Sequence, residues 1–133
     1  MAVTMDLTAW TGTLVGLYML FAGIGALRNA NAWRTMIDEI DNSPGFQVVV
    51  GALELLIGAM IYLANPWAPA DILACVLKAV GGLMMIEALA VVGFFDIYAQ
   101  FWLRTLSHMH RGWAMLTSLV GVALTIAGTM RFP

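Results

Sequence analysis

Three ionisable residues stand inside long apolar runs of this chain: Glu54, Lys78 and Glu87. A charged group at the centre of a membrane-spanning helix costs about 2.5–3.5 kcal/mol on insertion scales, so these are the first residues to ask about function. With a helical rise of about 1.5 Å per residue, Glu54 lies about 10 Å and Glu87 about 12 Å from the same boundary of their runs. The two carboxyls therefore share a depth. If they meet, they keep at least one proton between them near neutral pH, which suits either an interhelical hydrogen bond or the handling of protons and cations. Gly51, Glu54 and Gly58 share one helical stripe, which turns Glu54 toward a close helix contact and away from open lipid. Lys78 lies about 9 Å from the opposite boundary and on the helix face opposite Glu87, where its stem can snorkel to headgroups.

Other reactive residue types offer less. His108-Met109-His110 resembles a metal-binding fragment, but alternate residues on a helix face apart, so these read as interfacial histidines and no metal site is expected. The single cysteine, Cys75, has no partner for a disulfide or a thiolate metal site within one chain. No histidine lies within an apolar run to hold a haem, and the ten methionines read as filler or lipid-facing side chains. No Ser-His-Asp order, phosphate loop, His-Glu-x-x-His or Cys-x-x-Cys is present. Neither enzyme activity nor a bound cofactor is expected.

The elements that must position these residues follow from composition. Of 133 residues, 62% are hydrophobic and 11% charged, whereas soluble domains carry about a quarter charged residues. A net charge of -2 with six Lys and Arg offers no basic field, which sets nucleic acid aside. Four stretches, 8–27, 47–64, 72–95 and 112–130, are long enough to cross a hydrocarbon core. Short connections between them predict an all-α, antiparallel four-helix membrane bundle, one transmembrane domain over 1–133. Trp10, Trp33, Trp67, Trp102 and Trp113 fall at or just beyond helix ends, where indole rings prefer the interface. The first run lacks a basic leader and has Arg28 behind it, so it reads as an uncleaved span. Arg28, Arg34, Arg104 and Arg111 lie in the first and third loops, against Arg131 alone in the tails and second loop. The positive-inside rule then predicts an inner-membrane protein with those loops cytoplasmic and both termini periplasmic.

Sliding the chain along itself until Gly12 meets Gly82 also aligns Gly23 with Gly93, Arg34-Thr35 with Arg104-Thr105, Gly51 with Gly121, and Gly58 with Gly128. This suggests two similar hairpins, over 1–63 and 71–133, related by an axis along the membrane normal. Each hairpin carries a short amphipathic segment on the cytoplasmic side. One has Ala32, Trp33, Met36, Ile37 and Ile40 on its apolar face, the other Ile97, Phe101, Trp102, Leu106 and Met109. Their polar faces differ in sign, so Asp38, Glu39 and Asp41 could pair with Arg104, His108 and Arg111, or each could stay separately solvated. Small-residue stripes at Gly12-Gly16 and Thr117-Gly121-Thr125-Gly128 suit tight packing within the chain or between subunits.

The stretch Gly51-Ala52-Leu53-Glu54-Leu55-Leu56-Ile57-Gly58, returning after a first span with Phe21-Ala22-Gly23, resembles the second helix of DoxX-like small four-helix membrane proteins. The resemblance spans about residues 12–64. It implies an accessory membrane protein, in some relatives associated with quinone-linked redox complexes, and makes Glu54 the position carried over. The expectation is an accessory or oligomer-forming membrane subunit, in contact with lipids and with copies of itself or other subunits. The alternatives are a proton-coupled small-solute transporter or ion pathway using Glu54 and Glu87, and a lipid- or quinone-binding subunit.

Overall fold

The computed structural model describes residues 6–132, and for Asp41 and residues 98–110 the backbone alone. The described chain is helical throughout its ordered elements, and each helix start has a readable signal. Asp6 accepts from the backbone N–H of Ala9 at 3.0 Å and opens α1, Leu7–Arg28. Asn29 closes α1, and its side chain accepts from Ala32 at 3.2 Å to start α2, Ala30–Asp41. Ser43, followed by Pro44 at a position where a missing N–H costs nothing, starts α3, Pro44–Ala64. Asp71 caps α4, Ile72–Thr129, through the N–H of Ala74 at 3.2 Å.

Four stretches are long and apolar enough to cross a membrane: Leu7–Arg28, Pro44–Ala64, Ile72–Ile97 and Arg111–Thr129. These agree with the spans read from sequence to within a few residues. The last two belong to one helix by backbone hydrogen bonding, yet they cannot be collinear. A straight helix of 58 residues would be about 87 Å long, whereas Arg131 beyond its end bonds Asp71 at its start at 2.6 Å. α4 is therefore two limbs, Ile72–Ile97 and Arg111–Thr129, that run antiparallel and complete a four-helix bundle.

Packing divides the bundle into two helix pairs. α1 lies along the second limb, with Gly12 against Gly128, Gly16 against Gly121 and Thr125, and Gly23 against Ala114 and Ser118. α3 lies along the first limb, with Gly51 against Ala88 and Val92, and Gly58 against Gly81 and Met84. At these seams the backbones themselves touch. A Cβ on Gly16 would sit 2.8 Å from the carbonyl oxygen of Gly121, and one on Gly81 would sit 2.7 Å from that of Gly58. Both small-residue stripes are thus consumed inside the chain. Hydroxyls in the first seam fold back on their own helices, Thr13 onto Ala9, Thr125 onto Gly121 and Ser118 onto Ala114, which removes their donors from the apolar contact. Ile61, Leu77 and Leu124 join the two pairs in a small buried core lined by Val15, Met19, Leu73 and Met84.

The two seams correspond. The offset that relates the two hairpins carries Gly51 and Gly58 of one seam onto Gly121 and Gly128 of the other, and their partner positions agree to within two residues.

Candidate functional site

Glu54 sits on α3 between the two closest approaches of its seam, one turn after Gly51 and one turn before Gly58. Glu87 comes from the first limb between half-buried Met84 and buried Ala88. Because glycine brings the helices together here, the shared depth becomes proximity: the Glu54 and Glu87 carboxyls face each other across the seam. Both side chains are half-buried and no more. One side is closed by the helix seam, while Ile57 and Leu83, one turn away on either helix, are exposed. A carboxyl pair therefore faces partly outward at the level of the hydrocarbon.

Lys78 joins neither acid. Its ammonium donates to the carbonyl oxygen of Tyr62 at 2.8 Å and lies 3.6 Å from the centre of the Tyr62 ring. Tyr62 is in the last turn of α3, where carbonyls have no helical partner, and the adjacent Ile61 carbonyl accepts from the Asn65 side-chain amide at 2.8 Å. Lys78 and Asn65 together cap α3, with the lysine charge at the negative end of the helix dipole. The snorkelling reading needs correcting in this respect: the ammonium does reach toward the end of the bundle, but it stops on a protein carbonyl and an aromatic face.

The end that carries both termini holds a second polar group, which sequence reasoning did not assemble. Arg131 donates from Nε to Asp6 at 3.1 Å and from Nη1 to Asp71 at 2.6 Å, with Nη2 shared between the two carboxylates. The N–H of Ala9 and the Arg131 guanidinium hold the Asp6 carboxyl below its ordinary value, and the same guanidinium, then the N–H of Ala74, does so for Asp71. The signal was present in part, since each aspartate stands immediately before an apolar run as a helix cap should. That one arginine near the end of the sequence serves both caps is a tertiary fact.

At the opposite end, Asp38, Glu39 and Arg111 are exposed, and no ion pair among them is formed. The other members of the suggested charge pairing, Asp41, Arg104 and His108, lie outside the described side chains. Trp33 of α2 packs beside Gly25 of α1, which fits an amphipathic helix lying at the interface. Among the described residues no group of three or more His, Cys, Asp or Glu stands close enough to hold a metal ion.

The chain matches no family model, no curated protein and no solved structure. What stands is a small protein with four membrane-crossing helices and one intramembrane carboxyl pair.

Proposed function

We propose that this protein is an accessory or oligomer-forming subunit of an inner-membrane assembly, oriented with both termini in the periplasm, and that the Glu54–Glu87 pair is where it meets another membrane component. The observation that supports this reading is the pair's partial exposure at hydrocarbon depth. Carboxyls left against lipid tails are costly, and a neighbouring subunit that covers them or donates to them removes that cost. The two seams supply a second argument. The match that carries Gly51 to Gly121 also carries Glu54 to Leu124, and the partner helices match at Ala88 with Gly16 and at Gly81 with Ala9, which carries Glu87 to Val15, so a seam of the same build closes with apolar side chains at both positions. Carboxyls are not needed to hold such a seam, which favours a role beyond glue. The resemblance of the Gly51–Gly58 stretch to DoxX-like proteins agrees with an accessory role, and the matching seams agree with an origin by hairpin duplication.

The test is the native mass of the protein in mild detergent, with copurifying chains identified. A complex that dissociates when Glu54 is changed to Leu and Glu87 to Val, as in the other seam, supports the reading. A monodisperse monomer with no companion subunit, unchanged by the substitutions, overturns it. The facing of two carboxyls at one depth favours one alternative, a proton-coupled pathway. Its mark is proton-linked flux in reconstituted vesicles that is lost in Glu54→Gln and Glu87→Gln.

A further inference from the structure

We propose that Arg131 is the moving part of an electrostatic latch that closes the two helix pairs against each other at the end where α1 begins and α4 finishes, and that its release loosens the first turn of α4, where Cys75 lies. The geometry of the clasp carries the inference. Arg131 follows the second limb, which packs on α1, so its bonds to Asp6 stay within one helix pair. Its bonds to Asp71, at 2.6 and 3.0 Å, cross to the first residue before the other pair's limb. One guanidinium thus spans the boundary between the pairs. Each aspartate is already fixed by its own helix as a cap, on Ala9 or on Ala74, and those bonds do not depend on the arginine. The arginine is carried just past the end of α4, where its backbone N–H bonds the Gly128 carbonyl at 3.2 Å and Phe132 meets Trp10 edge to face at 5.0 Å. Asp6, Asp71 and Arg131 are the charged groups that face one another there, because Lys78 is turned onto Tyr62.

Two features distinguish a latch from a fixed strut. The arginine side chain keeps 31% of its surface in solvent, so water and salt compete for it. At the same end, just past α3, Asn65 is 1% exposed and its Oδ1 has no hydrogen-bond donor among the described residues. An acceptor buried without a donor destabilises the closed arrangement, and access to water on opening relieves it. The closed state is favoured by the ion pairs and opposed by Asn65. Cys75 reports on the same region: it is half-buried, and its thiol donates to the Ala68 carbonyl at 3.1 Å, tying the connection between α3 and α4 to the first turn of α4.

The experiment follows the rate at which Cys75, the single cysteine, reacts with a charged maleimide in nanodiscs open on both faces. Arg131→Gln, and separately Asp71→Asn, which keeps a capping oxygen, should each raise the rate about fivefold, the population change that losing one of the stronger exposed ion pairs supports. Wild-type protein in about 1 M NaCl should shift the same way, since the screening length falls to about 3 Å. Arg111→Gln, at the other end of the bundle, should leave the rate unchanged. A rate that is the same in wild type at low and high salt overturns the latch even if the substituted proteins fail to fold. An equal rise in Arg111→Gln overturns it as well, because the opening would then be general loosening.

Discussion

Replacing Gly121 by alanine tests whether the glycine seams carry the bundle. A Cβ there would meet the backbone nitrogen of Leu20 and lie 2.7 Å from the Gly16 carbonyl oxygen, where ordinary contact begins at 3.4 Å. The helices must therefore part by at least about 0.7 Å, taken as 3.4 less 2.7, because the obstacle is backbone and no side chain can swing aside. A gap of about 0.5–1 Å forfeits a quarter to a half of each atom-pair attraction along the seam, and overpacking of this kind costs about 1–3 kcal/mol. Within a membrane or micelle the separated helices stay helical, so the usual gain of alanine over glycine in helix propensity offsets little of this. Gly93 is the control, because a Cβ there meets nothing within 4 Å. Gly121→Ala should lower stability by about 1–3 kcal/mol and Gly93→Ala by less than about 0.5 kcal/mol. Reversible unfolding in mixed micelles, followed by tryptophan fluorescence, measures both. Equal effects at the two positions would refute the claim that close backbone approach at the seam is what stabilises the fold.

The Asp6–Arg131–Asp71 clasp should make stability depend on acid. Both carboxyls are held below their ordinary value when folded, so their contribution is complete above about pH 5 and is lost as pH falls through the depressed values. Arg131→Gln should cost about 1 kcal/mol at pH 7, in line with solvent-exposed pairs, and flatten that acid dependence; an unfolding midpoint measured from pH 7 to 3 checks both. Lys78→Met should destabilise by about 1–2 kcal/mol by leaving the Tyr62 carbonyl without its donor, and hydrogen exchange should show fraying of the last turn of α3 first. For orientation, cysteines placed at 131, 34 and 104 should be labelled from the periplasm only at 131, and the opposite pattern would reverse the topology.

How much of this was legible depends on the kind of information each feature needs. Span boundaries were readable because apolar run length is a one-dimensional property, and Leu7–Arg28 or Pro44–Ala64 differs little from its sequence reading. The meeting of Glu54 and Glu87 was half readable: depth follows from residue rise, but the facing of two helices required knowing that Gly51 and Gly58 oppose Ala88 and Gly81. Lys78 shows the limit. Its polar partner is a backbone carbonyl that exists only because α3 ends at Ala64, and no residue type announces a free carbonyl. Arg131 is a plainer case, since it joins residues 125 and 60 positions away, and its count toward topology concealed its contact.

The comparison of the two seams bears most directly on function. Both bring backbones into contact through glycines at equivalent positions of the two hairpins, and both pair antiparallel helices. A structural requirement for carboxyls should therefore appear in both, yet only the α3 seam has them, and Leu124 and Val15 stand in the other. The double variant Glu54→Leu, Glu87→Val converts one seam into the chemistry of its counterpart. Since this removes two acids from hydrocarbon depth and adds apolar side chains of similar volume, the isolated protein should be as stable as wild type or more so. Glutamate glue predicts the opposite, a loss of stability from the broken hydrogen bond. Unfolding of the detergent-isolated variant, measured beside its ability to hold companion subunits, distinguishes the two. Retained stability with lost association assigns the acids to function, whereas lost stability with retained association returns them to the fold.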